Sequence, residues 1–281
     1  MIRRSLGLLG VLVVALWLAL PAQAYFPFAN QNASYHSGTV CSDTSLHTVT
    51  ASGTSSTTIA AGCHHITLVM IGPGGSGADQ TNSNHPTGGG GGAEAESDNL
   101  SVTPGGTLWW HLFAGGASQT AGPANGNSGA GKSWASITSN AAPATSSDGV
   151  MADFGVGGGQ NATLGTGGLT ANSVGQILHS GGNGFQPSTS VYGGGGSSAC
   201  PTANGNNATS ATGASACTGG GSGGSGSGSS PGAGGAPGGG GGATLGSGNS
   251  GAGGASQLTY QQSTFLEPAN DNIPEAIAQC A

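Results

Sequence analysis

Uninterrupted glycine at Gly88–Gly92, Gly193–Gly196 and Gly238–Gly242 constrains this chain more than any other feature. Glycine supplies 60 of its 281 residues, and inside a regular helix or strand each one costs roughly 0.5–1 kcal/mol relative to alanine. A collagen helix is excluded, because glycine does not recur at every third position. Two outcomes remain. The tracts are flexible linkers, or they are polyproline-II-type segments, three residues per turn, packed side by side through backbone and Cα–H contacts.

The order of the remaining pieces favours packing. An apolar run, a Gly run, two strand-like segments about a Pro-Gly turn, further Gly tracts (Gly157–Gly159, Gly193–Gly196, Gly219–Gly228, Gly238–Gly242) and a closing strand-like segment form one unit. The glycines are then its interior rather than its hinge. Only 5% of residues are charged, too few for a polyelectrolyte-type disordered chain. For Thr218–Gly242 the linker reading stays open.

At the N-terminus, Arg3 and Arg4 precede an apolar run from Leu6 to Leu20 and then Ala22-Gln23-Ala24. Residues 1–24 therefore read as a cleaved secretory signal; the run is shorter than the ~20 residues of a spanning helix, the retained anchor being the alternative. Cleavage leaves Lys132 as the one Lys or Arg against ten carboxylates, which argues against nucleic-acid partners. Five cysteines in an exported chain imply two disulfides and one remainder. Spacing does not fix the pairing; Cys41 with Cys63 and Cys200 with Cys217 are favoured, leaving Cys280 free or linking two copies.

Residues 25–45 read as a lead-in and His47–Thr50 as a first strand. The strongest strand signal is His64–Ile71, HHITLVMI, expected between two neighbours. Leu100–Thr103 and Thr107–Phe113, joined by Pro104-Gly105-Gly106, predict a hairpin. Alternation along it puts Leu108, Trp110 and Leu112 on one face and Trp109, His111 and Phe113 on the other, both expected to be covered. The fold class is mainly β and irregular: a small N-terminal β-sheet followed by packed glycine-rich, polyglycine-II-like segments, with little α-helix. A glycine-rich domain spans 46–260, β-rich over 46–115 and made of Gly segments and loops over 116–260, followed by a polar tail, 261–281.

The pieces ITLVMIGPGGSG, GGGGGAEAESDNLSVTPGGTLWWHLFAGGAS and GAGGASQLTY, from about Leu46 to Tyr260 with Gly runs between them, resemble the glycine-rich domain of tail-fibre and adhesin proteins of tailed phages and of some exported bacterial proteins. LSVTPGG is the most specific part. The resemblance implies packed polyglycine-II helices whose intervening segments contact a host receptor: a binding module rather than an enzyme. A signal peptide is unusual for a phage fibre. The closing strand is polar where that family has an aliphatic run, which implies a shortened or frayed last strand.

Gly126–Ser133 fits the P-loop pattern G-x-x-x-x-G-K-[ST], with Lys132 and Ser133, but the segment after it reads as strand where a P-loop requires a helix. No nucleotide is expected. His64 and His65 are adjacent on a strand and point to opposite faces, so they cannot chelate one ion. Glu94, Glu96 and Asp98 share a face; a Ca²⁺ site is conceivable there, an exposed edge-guarding stripe is the plainer reading. No cofactor and no catalytic group stand out.

Recognition would fall to aromatic residues in loops, which offer large contact area at low entropy cost. The candidates are Phe185, Gln186 and Tyr192 between two Gly runs, then the Cys200–Cys217 loop, then His85 and Trp134. The expected function is surface recognition by an exported adhesin or receptor-binding module, on a cell or virion surface, directed at a cell-surface glycan or outer-membrane protein. The alternative is a structural protein of an envelope, matrix or virion, with homo-oligomers or a disulfide link through Cys280.

Overall fold

The computed structural model describes residues 39–81, 85–120, 122–188, 191–246 and 248–264. The signal segment 1–24, most of the lead-in, Cys280 and nearly all of the polar tail lie outside the described residues. Eleven strands follow in chain order: β1 (Leu46–Val49), β2 (Gly53–Thr58), β3 (His65–Ile71), β4 (Asp79–Gln80), β5 (Glu94–Ser101), β6 (Thr107–Leu112), β7 (Ser133–Ser136), β8 (Gly149–Ala152), β9 (Ile177–His179), β10 (Thr244–Leu245) and β11 (Gln257–Ser263). One 3₁₀ turn, Thr170–Asn172, is the helical element among the described residues. The protein is mainly β and irregular.

Two sheets face each other. One has the order β1-β11-β3-β5-β9, the other β2-β6-β7-β8. The apolar run of β3 lies between β11 and β5, as its composition predicts. Its inward residues Ile66, Leu68 and Met70 meet Leu108, Trp110 and Leu112 of β6, with Val150, Leu258 and Tyr260 completing a small core. That alternation was legible in the sequence.

The predicted hairpin does not form. β5 and β6 belong to different sheets. The Val102 N–H bonds to the His64 carbonyl, extending β5 along β3, and Gly105, at φ 80°, turns the chain so that its N–H meets the Ile59 carbonyl near the other sheet. The Pro-Gly turn thus joins the two layers of a sandwich rather than two paired strands. Strand is not confined to the N-terminal part either, because β7, β8 and β9 complete the two sheets from within residues 116–260.

The last strand is also longer than expected. Gln261, Gln262 and Ser263 pair with Thr67, Ile66 and His65, so β11 runs three residues past Tyr260. Its inward side chains are Leu258, Tyr260 and Gln262. The Gln262 amide oxygen accepts a 2.8 Å bond from the Ala60 N–H, and this lets a polar residue sit where an aliphatic one would.

The glycine tracts form a bundle that continues the sandwich. At its centre runs 87–93, and its backbone bonds repeat every three residues. Gly88 and Gly91 donate to Phe185 and Gly182, Gly89 and Gly92 to Gly241 and Gly238, and Gly90 and Ala93 to Val156 and Asp153. The carbonyls of Thr87, Gly90 and Ala93 accept from Ala78, Gly75 and Gly72; those of Gly89 and Gly92 accept from Gly196 and Ala199, and that of Gly91 from Gly168. Six segments therefore surround the central one, and they bond to each other around the ring: Gly155 to Pro73, Val156 to Thr166, Gly184 to Gly165, Gly182 to Ser197, Gly240 to Gly196 and Gly241 to Gly75. A threefold repeat with six neighbours is the packing of polyglycine-II helices, and only glycine leaves room for it. The open linker reading of Thr218–Gly242 is resolved by the same bonds, since Gly221, Gly224 and Gly240 donate to Pro237, Gly240 and Gly196.

Cys41 pairs with Cys63 and Cys200 with Cys217. The second bridge closes a stretch in which backbone bonds replace apolar burial, so its removal is expected to cost about 3 kcal/mol for a loop of this length. Chemical denaturation of a Cys200→Ser/Cys217→Ser variant reads this directly, and a midpoint equal to that of the parent protein would refute it.

Candidate functional site

The direction of each bundle segment decides where the loops lie. Gly72 follows β3, Ala93 precedes β5, Asp153 follows β8 and Ser180 follows β9, so one end of the ring is joined to the sandwich. At the opposite end the chain turns back between neighbouring segments. Residues 79–81 and 85–87, 159–163, 185–188 and 191–193, 208–211, 226–231, and 244–246 with 248–250 all belong to these turns.

Four of the five candidate recognition residues come together there. The Gly193 N–H donates to the Pro86 carbonyl and the Gly88 N–H to the Phe185 carbonyl, which sets the His85, Phe185 and Tyr192 segments side by side. The His85 carbonyl accepts from the Ala162 N–H, adding the 159–163 turn. Gln186 is exposed, while His85, Phe185 and Tyr192 are half-buried. The Tyr192 ring lies against Gly226 and Gly228. These rings both pack and present a surface.

Trp134 stands apart from this group. It lies on β7, opposite His111 of β6, at the sandwich end of the molecule. His111 stacks on Phe113 with ring centroids 4.1 Å apart and lies 6.2 Å from Trp134; Thr54 of β2 is hydrogen-bonded to its Nδ1 at 2.9 Å. With Trp109 these residues form the outer face of the second sheet. The expectation that both faces of β6 are covered needs correcting: Trp110 is buried, whereas Trp109, His111 and Phe113 remain partly open. The outer side of a two-sheet sandwich has no third layer to cover it.

The loop end carries almost no charge. Asp79 is the one acid among its described residues, and no Lys or Arg is present. Asp79 is fully buried, and burial pushes its carboxyl above the ordinary range. Its Oδ2 accepts a 3.1 Å bond from the Gly122 N–H, but Oδ1 and the Oγ1 of its register partner Thr244 meet no hydrogen-bond partner among the described residues. Nothing in the residue pattern marked out Asp79, which sits at the close of an unremarkable GSGAD segment.

Residues 126–133 form no phosphate cradle. The N–H groups of Gly126, Asn127, Gly129 and Ala130 are engaged by Gly158, Ser76, Gly155 and Ala114 within the bundle, and Ser133 begins β7. Among the described residues no group of three His, Cys, Asp or Glu side chains is placed to hold a metal ion. The acidic stripe is not uniformly exposed either, since Glu94 is wholly buried and both of its carboxyl oxygens are without a hydrogen-bond partner. Burial, reinforced by repulsion from Glu96, raises its pKa to about 8. Glu96 is raised too, by burial and then by Asp98, against the opposing influence of His179.

No protein-family model matches this chain. No curated protein sequence matches it either. The two disulfides fit an oxidising, extracellular setting, and among the described residues no helix is long and apolar enough to cross a membrane.

Proposed function

We propose that this protein is an exported recognition module, an adhesin or receptor-binding protein without catalytic activity, that contacts a cell surface through the loop end of its glycine bundle. The observation that carries this reading is the convergence of His85, Phe185, Gln186 and Tyr192 at one end of a rigid, backbone-bonded scaffold. Loops held on such a scaffold lose little entropy on binding, which is the advantage of preorganisation. The similarity to phage and bacterial glycine-rich adhesins supports the same reading, with the signal-like N-terminus supplying export.

The test is binding of the labelled protein to intact cells, beside a variant in which 185–192, including both aromatic residues, are replaced by Gly and Ser. That replacement spares Asn183, whose Oδ1 accepts from the Gly167 N–H and whose N–H donates to Asn207, and so leaves the bundle intact. Saturable binding that falls at least about tenfold in the variant is expected, the loss of one hot-spot cluster. Equal binding by both proteins would remove the loop end from the site, and absence of binding by either would overturn the recognition reading.

A further inference from the structure

The Cys200–Cys217 loop contains a cleft of about 340 Å³. It is lined chiefly by Asn206, Asn207, Thr209, Ser210, Thr212 and Ser215, with only glycine and alanine besides. Every lining residue falls between the two bridged cysteines, so the disulfide closes the stretch that forms it. The Asn206 side-chain amide donates a 2.9 Å bond to the Ser215 carbonyl, tying the two walls together, and Ser197 Oγ holds the Asn206 N–H at 2.7 Å. The walls are thus set before any ligand arrives.

The cleft adjoins the aromatic loop described above. The Gly194 N–H donates to the Ser210 carbonyl and the Phe185 N–H to the Gly194 carbonyl, so the segments of Ser210 and Phe185 flank that of Gly194. On another side the Gly226 N–H donates to the Ala211 carbonyl, and the Tyr192 ring lies on Gly226. Amides and hydroxyls therefore line a recess bordered by the Gly194 and Gly226 segments, the second of which carries the Tyr192 ring, and no charged side chain is among its lining residues. Such a set matches one ligand chemistry: a polyol with hydroxyls to exchange hydrogen bonds and a C–H face to lie against a ring.

We infer that the cleft is a binding site for a neutral saccharide, with the 206–215 walls hydrogen-bonding its hydroxyls and Tyr192 beside them. This rests on the recognition reading and narrows it to uncharged glycan. An acidic sugar or a phosphorylated one would find neither Lys nor Arg to balance it, and an apolar ligand would cover the Thr209, Thr212 and Ser215 hydroxyls without offering them a partner, at a cost of about 1–3 kcal/mol each.

Saturation-transfer NMR on the full protein tests this with glucose, galactose, mannose and N-acetylglucosamine as probes, beside glucuronic acid and inorganic phosphate. The variants are Thr209→Val/Thr212→Val/Ser215→Ala, which keeps side-chain size while removing three hydroxyls, and Tyr192→Leu; near-UV circular dichroism verifies that both are folded. Transfer to at least one neutral sugar is expected, unchanged between about 0.05 and 0.5 M salt because a neutral ligand is not screened, and about tenfold weaker in the triple variant, where several hydrogen bonds of about 1 kcal/mol are lost. Absence of transfer to every neutral sugar, equal transfer in the folded triple variant, or binding confined to the charged probes and falling with salt would each overturn the assignment. Cell binding that persists without any sugar signal overturns the ligand class alone; loss of both overturns the recognition reading as well.

Discussion

Gly90→Ala is expected to abolish the native fold. A Cβ at this position would lie 2.0 Å from the Thr166 carbonyl oxygen and 2.2 Å from its carbon, and both atoms are backbone, so no side chain can swing aside. Relief requires the 163–168 segment to move outward, yet that segment is bonded to Val156 on one side and Gly184 on the other. Displacing one member of a closed ring breaks bonds to two others, and the resulting buried unpaired groups cost about 1–3 kcal/mol each. The sum exceeds about 5 kcal/mol, comparable with the whole stability of an ordinary domain. Gly105→Ala is the control. It has nothing within 4 Å and a φ of 80°, so its cost is confined to the left-handed backbone, about 1–2 kcal/mol. Urea unfolding followed by near-UV circular dichroism compares the two, and a Gly90→Ala protein with a midpoint near that of Gly105→Ala would refute the close-packed account of the central segment.

Glu94→Gln is expected to stabilise the protein at neutral and alkaline pH and to flatten its pH profile. Glu94 follows directly on the central segment; across the sheet its register partners are Ile71 of β3 and His179 of β9, and Glu96 is the acid nearest along its own strand. The folded chain holds a proton on this carboxyl up to about pH 8, whereas the unfolded chain releases it near 4.5. The native state therefore binds the extra proton between those values, and stability falls as pH rises through that window, by at most about 1.4 kcal/mol per pH unit. Below about 4.5 and above about 8 this group contributes no slope. Glutamine keeps the shape and removes the proton linkage. Glu96 and Asp79 are raised in the same direction, so a shallower slope remains in the variant. Thermal melts from pH 4.5 to 8.5 decide the matter: parallel curves for the two proteins would show that Glu94 is not the linked group.

The fold was legible in the sequence wherever side chains carried a pattern. HITLVMI predicted a central strand, alternation grouped Leu108, Trp110 and Leu112 on one face of β6 without showing that it alone would be buried, and both cysteine pairs were favoured correctly. The hairpin was misread because Pro104-Gly105 marks a turn without indicating which sheet the chain enters next. The bundle's connectivity could not be read at all, since a glycine tract carries no side chain that distinguishes one neighbour from another. What specifies partners is the sparse polar substitutions among the glycines: Ser76 Oγ holds the Asn127 N–H and Asn183 Oδ1 the Gly167 N–H. In the candidate site, the loop containing Phe185 and Tyr192 was visible as aromatic residues between Gly runs. Trp134 was grouped with it by residue type and separated from it by topology. Burial of Glu94 was missed because the acidic stripe was read along one strand, without the layers laid over its first residue.

The pairing of β3 with β11 joins residues 65–71 to residues 257–263, and the central segment 87–93 takes bonds from as far along the chain as Gly241. Contacts of such sequence separation slow folding, because the entropy of closing long loops is spent before the bonds that reward it can form. A chain that lacks its last fifty residues has only one of the two neighbours of β3 and no closed ring of segments. The sandwich and the ring of segments can therefore close only once residues 238–263 are present, which places the completion of both late in the folding of the chain.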